Sequence, residues 1–153
     1  MSHDKKYLAY EKCIEDTVKA VLINKAVYIE IQVLILTNNG GILSAALNSS
    51  VLAIIHCGIA ISDTPVSLSI GMYKEEFIVD PSAEEVEACT VLVTCTNLYL
   101  NKKLASLHIE KRTDAKRLNE IITLTKSLCE TEIYPLMREC ILTSCSLKSQ
   151  FAL

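Results

Sequence analysis

Residues 33–63 read VLILTNNGGILSAALNSSVLAIIHCGIAISD. An apolar run ends at Asn38-Asn39-Gly40-Gly41, the strongest turn signal in the chain, and a second apolar run follows. The first run closes a pattern of period two. Val27, Ile29, Ile31, Val33 and Ile35 alternate with Tyr28, Glu30 and Gln32, which predicts a strand over 27–36. The second run, 42–57, is small and apolar nearly all round: Ala45, Ala46, Leu47, Ser49, Ser50, Val51, Ala53, Ile54. That pattern predicts a helix buried on more than one side, whose small residues let neighbours approach closely. Gly58 stands where a left-handed residue ends a helix.

Outward from this unit, the periods alternate between helix and strand. Upstream, Tyr7, Ile14, Val18, Val21 and Leu22 fall at helical spacing, with Glu11, Glu15, Asp16 and Lys19 on other faces, so 7–22 is an amphipathic helix. Downstream, Val66, Leu68, Ile70 and Met72 alternate with Ser67, Ser69 and Gly71. A tight turn near Lys74-Glu75 leads into a short strand at 77–79. Two more strands follow at 90–96 and 104–110, the last with Ala105, Leu107 and Ile109 on one face. Four short strands in series predict an antiparallel meander. A final helix spans 113–140, with a stripe of Leu118, Ile121, Ile122, Thr125, Leu128, Cys129, Leu136 and Cys140, and Pro135 should kink or split it. The order is α-β-α-β-β-β-β-α, an α+β layered domain. At 153 residues one domain over 1–153 is expected, with its core at 6–142 and a C-terminal tail at 143–153.

Composition removes several functions. Net charge is −3, so no strong basic nucleic-acid footprint exists, and with no Trp and two Phe there is no broad base-stacking platform. The mean hydropathy of +0.32 is high for a soluble domain and points to apolar surface meant for a partner. The start, MSHDKKYLAY, has no apolar run after its lysines, so it does not read as a secretory signal. The longest apolar stretches are too short to span a bilayer. Seven cysteines, at 13, 57, 89, 95, 129, 140 and 145, are odd in number and irregular in spacing. They read as free thiols in a reducing compartment, most of them small buried hydrophobes.

Strand, glycine turn and small-residue helix, followed by Cys57-Gly58-Ile59-Ala60-Ile61, resemble the corresponding run of the RNase PH family. Phe77-Ile78-Val79-Asp80-Pro81-Ser82-Ala83-Glu84-Glu85 is similar to a signature of that family's eukaryotic exosome ring subunits. The resemblance covers roughly residues 7–142. It implies an RNase PH-like (ribosomal protein S5 domain 2-like) layered sandwich without the family's N-terminal strands. On that reading the chain is either a piece of a longer one or a shortened subunit that borrows surface from neighbours. Phosphorolytic members carry Thr-Arg-Thr after the two glycines, and its Thr and Arg bind phosphate. Here Ile42-Leu43-Ser44 follows, so only the Ser44 hydroxyl remains. Active members also carry an Asp beyond the Glu-Glu pair, where this chain offers only Glu87. The resemblance therefore implies a pseudoenzyme: a non-catalytic subunit of an exosome core ring, needing no cofactor and no metal. Its partners would be other RNase PH-like ring subunits, cap subunits and RNA passing through the channel, with no membrane. It would support RNA degradation and rRNA processing in nucleus, nucleolus and cytoplasm. The alternative is an active phosphate-dependent 3′-to-5′ exoribonuclease that takes its Arg from a neighbour. A binding module without chemistry is the third reading.

Three groups of residues carry what chemistry the sequence offers. Gly40, Gly41 and Ser44 form a vestigial phosphate turn, or simply a turn whose glycines supply positive φ. Asp80, Glu84 and Glu85 form a vestigial acidic cluster able to meet a divalent ion, though Asp80-Pro81-Ser82 is equally a helix start. Lys102, Lys103, Lys111 and Arg112 flank one strand and are candidates for RNA phosphates, or solvated loop charges. No cysteine spacing matches zinc, and adjacent His56 and Cys57 would point about 100° apart on a helix. His108 is expected on the strand face opposite Leu107 and Ile109, and His3 in a mobile tail.

Overall fold

The computed structural model describes the backbone of residues 3–151 and the side chains of 5–144. In chain order the elements are α1 (His3–Val21), α2 (Ile42–His56), β1 (Pro65–Tyr73), β2 (Glu76–Val79), α3 (Ala83–Ala88), β3 (Val91–Leu98), β4 (Leu104–Ile109), α4 (Ala115–Leu128), a π-helical turn (Cys129–Ile133) and α5 (Tyr134–Phe151). The strands form one antiparallel sheet in the order β2-β1-β3-β4. Lys74 and Glu75 both adopt positive φ, 47° and 69°. Two successive left-handed residues give the turn that matches strand twist in a two-residue hairpin.

The two periods of β1 and β3 sort the layers. Val66, Leu68, Ile70 and Met72 share a face with Val91, Val93 and Cys95, and this face packs against Ile121 of α4, Cys129 of the π turn and Met137 of α5. The opposite face is polar and equally buried. It carries Ser67, Ser69, Thr94 and Thr96, and their hydroxyls bond one another (Ser69 to Thr94, 2.8 Å; Thr96 to Ser67, 3.2 Å). A buried hydroxyl needs such a partner, so the pairing makes burial on that side tolerable. α1 lies over it: the Cys13 thiol donates to Ser106, and Tyr10 meets His108 edge-on at 5.4 Å.

β2 covers β1 only from Ile70 to Tyr73. Further along, Asn48 of α2 closes the free edge. Its Nδ2 donates to the Ser67 carbonyl at 2.9 Å and its Oδ1 accepts from the Ser67 N–H at 2.8 Å. A carboxamide offers a donor and an acceptor, as a peptide unit does, so one side chain stands in for a missing strand. α2 is buried on several sides, at Leu43, Ser44, Ala46, Leu47, Ser50, Val51 and Ile54, and Gly58 follows it at φ +74°.

The structure differs from the sequence reading in five places. Residues 27–36 form no strand: they pair with none of the described strands, and the chain bends at Leu36. The sheet is not a simple meander: β3 passes β2 and pairs with β1, with α3 making the connection. The C-terminal helix is split near Pro135 as expected, but the split is a π turn at Cys129–Ile133 that displaces the expected stripe. Pro135 has no N–H for an i→i−4 bond, and the preceding Tyr134 N–H reaches back five residues to the Cys129 carbonyl. The extra residue shifts the apolar stripe by one position. Met137 is therefore buried, whereas Leu136 and Cys140, expected inside, are exposed. α5 also continues to Phe151, through most of the expected tail, and α1 begins at His3. Finally, Cys57 is exposed too, so of the six cysteines described only Cys89, Cys95 and Cys129 are buried; all six are free. The side chains of His3 and Cys145 lie outside the described residues.

Candidate functional site

The glycine turn is held against the loop that precedes α3. Gly40 has φ +91° and Gly41 has φ +56°, values that side chains rarely allow. Space forbids a side chain as well. A Cβ on Gly40 would stand 2.1 Å from the Pro81 carbonyl oxygen, and one on Gly41 would stand 2.6 Å from Asp80 Oδ1. On the other side of the contact, the Asp80 N–H donates to the Ser69 carbonyl at 2.9 Å. Ser82 and Glu85 form a reciprocal capping box at the start of α3.

Beneath the turn runs a short chain of hydroxyls. Ser69 donates to Ser44 at 3.2 Å, and Ser44 donates to the Gly41 carbonyl at 2.8 Å. Beside it opens a cleft of about 210 Å³, bounded by the turn, α1, α3 and the polar face of β1 and β3. Among the described residues its lining cation is Lys6, and this is neutralised. Lys6 Nζ lies 2.8 Å from Glu110 Oε2, and the Tyr10 hydroxyl donates to Glu110 Oε1 at 2.7 Å. Burial pushes the Glu110 carboxyl up, but the bonds from Lys6 and Tyr10 outweigh it and hold the group below the usual carboxylate range. Burial likewise opposes the charge on Lys6, yet its bond to Glu110 leaves the ammonium raised. Tyr10 is pushed up to about 12, chiefly by burial.

The residues singled out in the sequence are only partly brought together. Gly40, Gly41, Ser44 and Asp80 do meet at the turn. Glu85 is committed to the capping box and Glu84 is exposed. Among the described residues no three His, Cys, Asp or Glu side chains gather to hold a metal. Of the basic residues, Lys102 pairs with Glu130 at 3.1 Å and lies over the Tyr99 ring. Lys111 bonds the carbonyls of Val86 (2.6 Å), Glu87 (3.3 Å) and Cys89 (2.5 Å), closing the C-terminal end of α3. Lys103 and Arg112 are exposed. The two pairs sit at opposite ends of β4 and do not form one patch.

The trio Lys6, Tyr10 and Glu110 escaped sequence reading, since Glu110 lies about a hundred residues from the other two and they match no motif. So did Asp63. It is 2 % exposed and accepts from the backbone N–H groups of Thr64 (2.7 Å), Leu100 (2.8 Å) and Asn101 (2.9 Å) and from Asn101 Nδ2 (2.8 Å). Burial disfavours its charge, but these donors prevail and hold the carboxyl below its ordinary value. It pins the β3–β4 loop to the entry of β1.

No family model matches the chain. In sequence it is 28% identical over 96 residues to the exosome complex component SKI6 of Saccharomyces cerevisiae, an alignment covering 63% of this chain and 39% of that protein. The chain thus spans well under two thirds of this relative's length. Among solved structures, rice (Oryza sativa) Rrp46 superposes with a TM-score of 0.78 at 17% identity, over 93% of this chain and 68% of the other. An archaeal exosome core gives 0.66 at 16%, over 90% and 66%. The Archaeoglobus fulgidus exosome, solved with RNA bound to its active site, gives 0.61 at 15%, over 80% and 58%. In fold the chain is RNase PH-like, of the type built into exosome cores, and in sequence it is similar to a eukaryotic protein of that group.

Proposed function

We propose that the chain is a non-catalytic, structural subunit of an RNA exosome core ring, a pseudoenzyme that supports RNA degradation and rRNA processing by channelling RNA to a nuclease elsewhere. The carrying observation is the chemistry at the start of α2. An anion site at a helix N-terminus needs open N–H groups and preferably an Arg fork. Here Ile42 and Leu43 follow the glycines, Leu43 is buried, and an Asp80 carboxylate oxygen crowds the turn. Among the described residues, the cation lining the cleft, Lys6, is spent on Glu110. Partners on this reading are other RNase PH-like ring subunits, cap subunits and RNA. RNA contact would fall to Lys103 and Arg112 before Lys102 and Lys111, which have partners of their own. The location would follow the complex: nucleus, nucleolus and cytoplasm. Among the described residues no helix is long and apolar enough to cross a membrane.

Native purification with identification of co-purifying chains tests the reading. A large particle holding several RNase PH-like chains is the expected result, and a lone chain would overturn it. The second reading, a phosphate-dependent 3′-to-5′ exoribonuclease, draws on the Ser44–Ser69–Thr94 hydroxyl chain beside the cleft. It requires nucleoside diphosphate release from oligo(A) in phosphate, by the assembled complex with any hydrolytic subunit inactivated. No release is expected.

A further inference from the structure

In the cleft beside the glycine turn, one of the chain's own carboxylates receives the donors that an external anion would take. Glu110 follows the last residue of β4. Its Oε2 lies 2.8 Å from Lys6 Nζ, and its Oε1 accepts from the Tyr10 hydroxyl at 2.7 Å. An ammonium and a phenol converging on a carboxylate are equally donors for a phosphoryl oxygen. Lys6 and Tyr10 stand four apart on α1 and so share a face of that helix. Tyr10 is held firmly. Its ring meets Tyr7 and His108 edge-on, and it packs with Leu43 and Leu47 of α2. The donors are therefore in position before any ligand arrives, which lowers the cost of binding.

The rest of the cleft has room for an anion. Its volume of about 210 Å³ is several times the roughly 30 Å³ share of one water. Gly41, Ile42 and Leu43 line it, and among the described residues no side chain caps the start of α2, the positive end of that helix dipole. Acids oppose an anion here: Asp80 crowds Gly41, Glu87 lines the cleft, and Glu110 takes both Lys6 and Tyr10. An incoming anion would meet a cation already balanced by its neighbour, so little net attraction is left. We propose that Glu110 is a built-in plug, a carboxylate of the chain that occupies the oxyanion position at Lys6 and Tyr10 and keeps phosphate out of the cleft. The plug rests on the non-catalytic reading above and deepens it by naming a residue that excludes phosphate.

The test titrates the chain, in the assembly in which it is purified, with inorganic phosphate followed by calorimetry. Glu110→Gln keeps the shape and a hydrogen bond to each neighbour but removes the charge. It should bind phosphate roughly ten- to hundredfold more tightly than the wild type. Adding Lys6→Met to it should return the affinity to the wild-type level. Equal affinity in the wild type and a folded Glu110→Gln variant overturns the plug and leaves the non-catalytic reading standing. A gain that survives Lys6→Met also overturns the plug, because phosphate then binds elsewhere. Nucleoside diphosphate release from oligo(A) by the wild-type chain overturns that reading, and the plug falls with it. A further measurement needs no variant. Reductive methylation of Lys6 in the wild-type chain should proceed at the same rate with and without phosphate, and protection by phosphate overturns the proposal.

Discussion

β1 and residues 27–36 carry the same kind of pattern and meet opposite fates. Both alternate β-branched or aliphatic residues with others over nine or ten positions. β1 has β3 from Pro65 to Met72, β2 along about half of its length and the Asn48 amide beyond, and it is buried on both faces up to Met72. Residues 27–36 have no neighbouring strand among the described residues, and their side chains remain largely exposed. The difference teaches that alternation specifies an extended backbone and the face that turns inward, whereas a ladder needs a second strand that the pattern does not name.

The same substitution placed in each region should give the sharpest contrast. Ile70 is fully buried at the centre of the sheet, so Ile70→Ala should cost about 2–5 kcal/mol. Denaturant unfolding measures it; a loss below about 1 kcal/mol would mean the sheet repacks freely and the contrast is false. Gly40→Ala attacks the junction between the two regions. It meets both positive φ and the Pro81 carbonyl, and a loss of about 2–3 kcal/mol is expected in the same measurement. Asp63→Ala would strip four donors of their acceptor where the β3–β4 loop meets β1, at a cost of about 2 kcal/mol.

Titration should act at groups packed around the sheet. Asp63 and Glu110 are held below their ordinary values. Their stabilisation is complete above the unfolded carboxylate range near 4 and declines as pH falls through the lower folded values. Tyr10 is raised from 10.0 to about 12. Its contribution is complete below pH 10 and is lost between there and about 12, as the unfolded chain ionises first. Melts across both windows check this, and a Tyr10→Phe variant should flatten the contribution of Tyr10 to the alkaline slope. The smallest effect belongs to Ile31→Ala in dilute protein, under about 1 kcal/mol, since the side chain is only partly covered. A loss rivalling that of Ile70→Ala would show that residues 27–36 belong to the core after all.

Much of the fold was legible because its signals are local. The spacing in α1, the glycines before α2, the Lys74-Glu75 turn and the period-two runs of β1, β3 and β4 each depend on residues close in sequence. Asp80-Pro81-Ser82 read as a helix start in the same way, although the helix it opens, α3, was not among the expected elements. At the site, Gly40, Gly41, Ser44 and Asp80 could be named in advance, but Glu84 and Glu85 did not join them. The Lys6–Tyr10–Glu110 trio and the Asp63 knot could not be named, because each joins segments whose proximity is a product of folding.

The sequence alone determined most helices and strands and the apolar side of α1, β1 and β3, since propensity and periodicity act over a few residues. The absence of Arg after Gly40-Gly41 was equally plain in it. Only the tertiary structure decided that β3 skips β2 to pair with β1, that a π turn before Pro135 moves burial from Leu136 to Met137, and that Lys111 caps α3. It also left residues 27–36 outside the sheet formed by the described strands. Each of these is settled by competition for partners across the whole chain, and the free energy of a backbone group depends on which partner it finds.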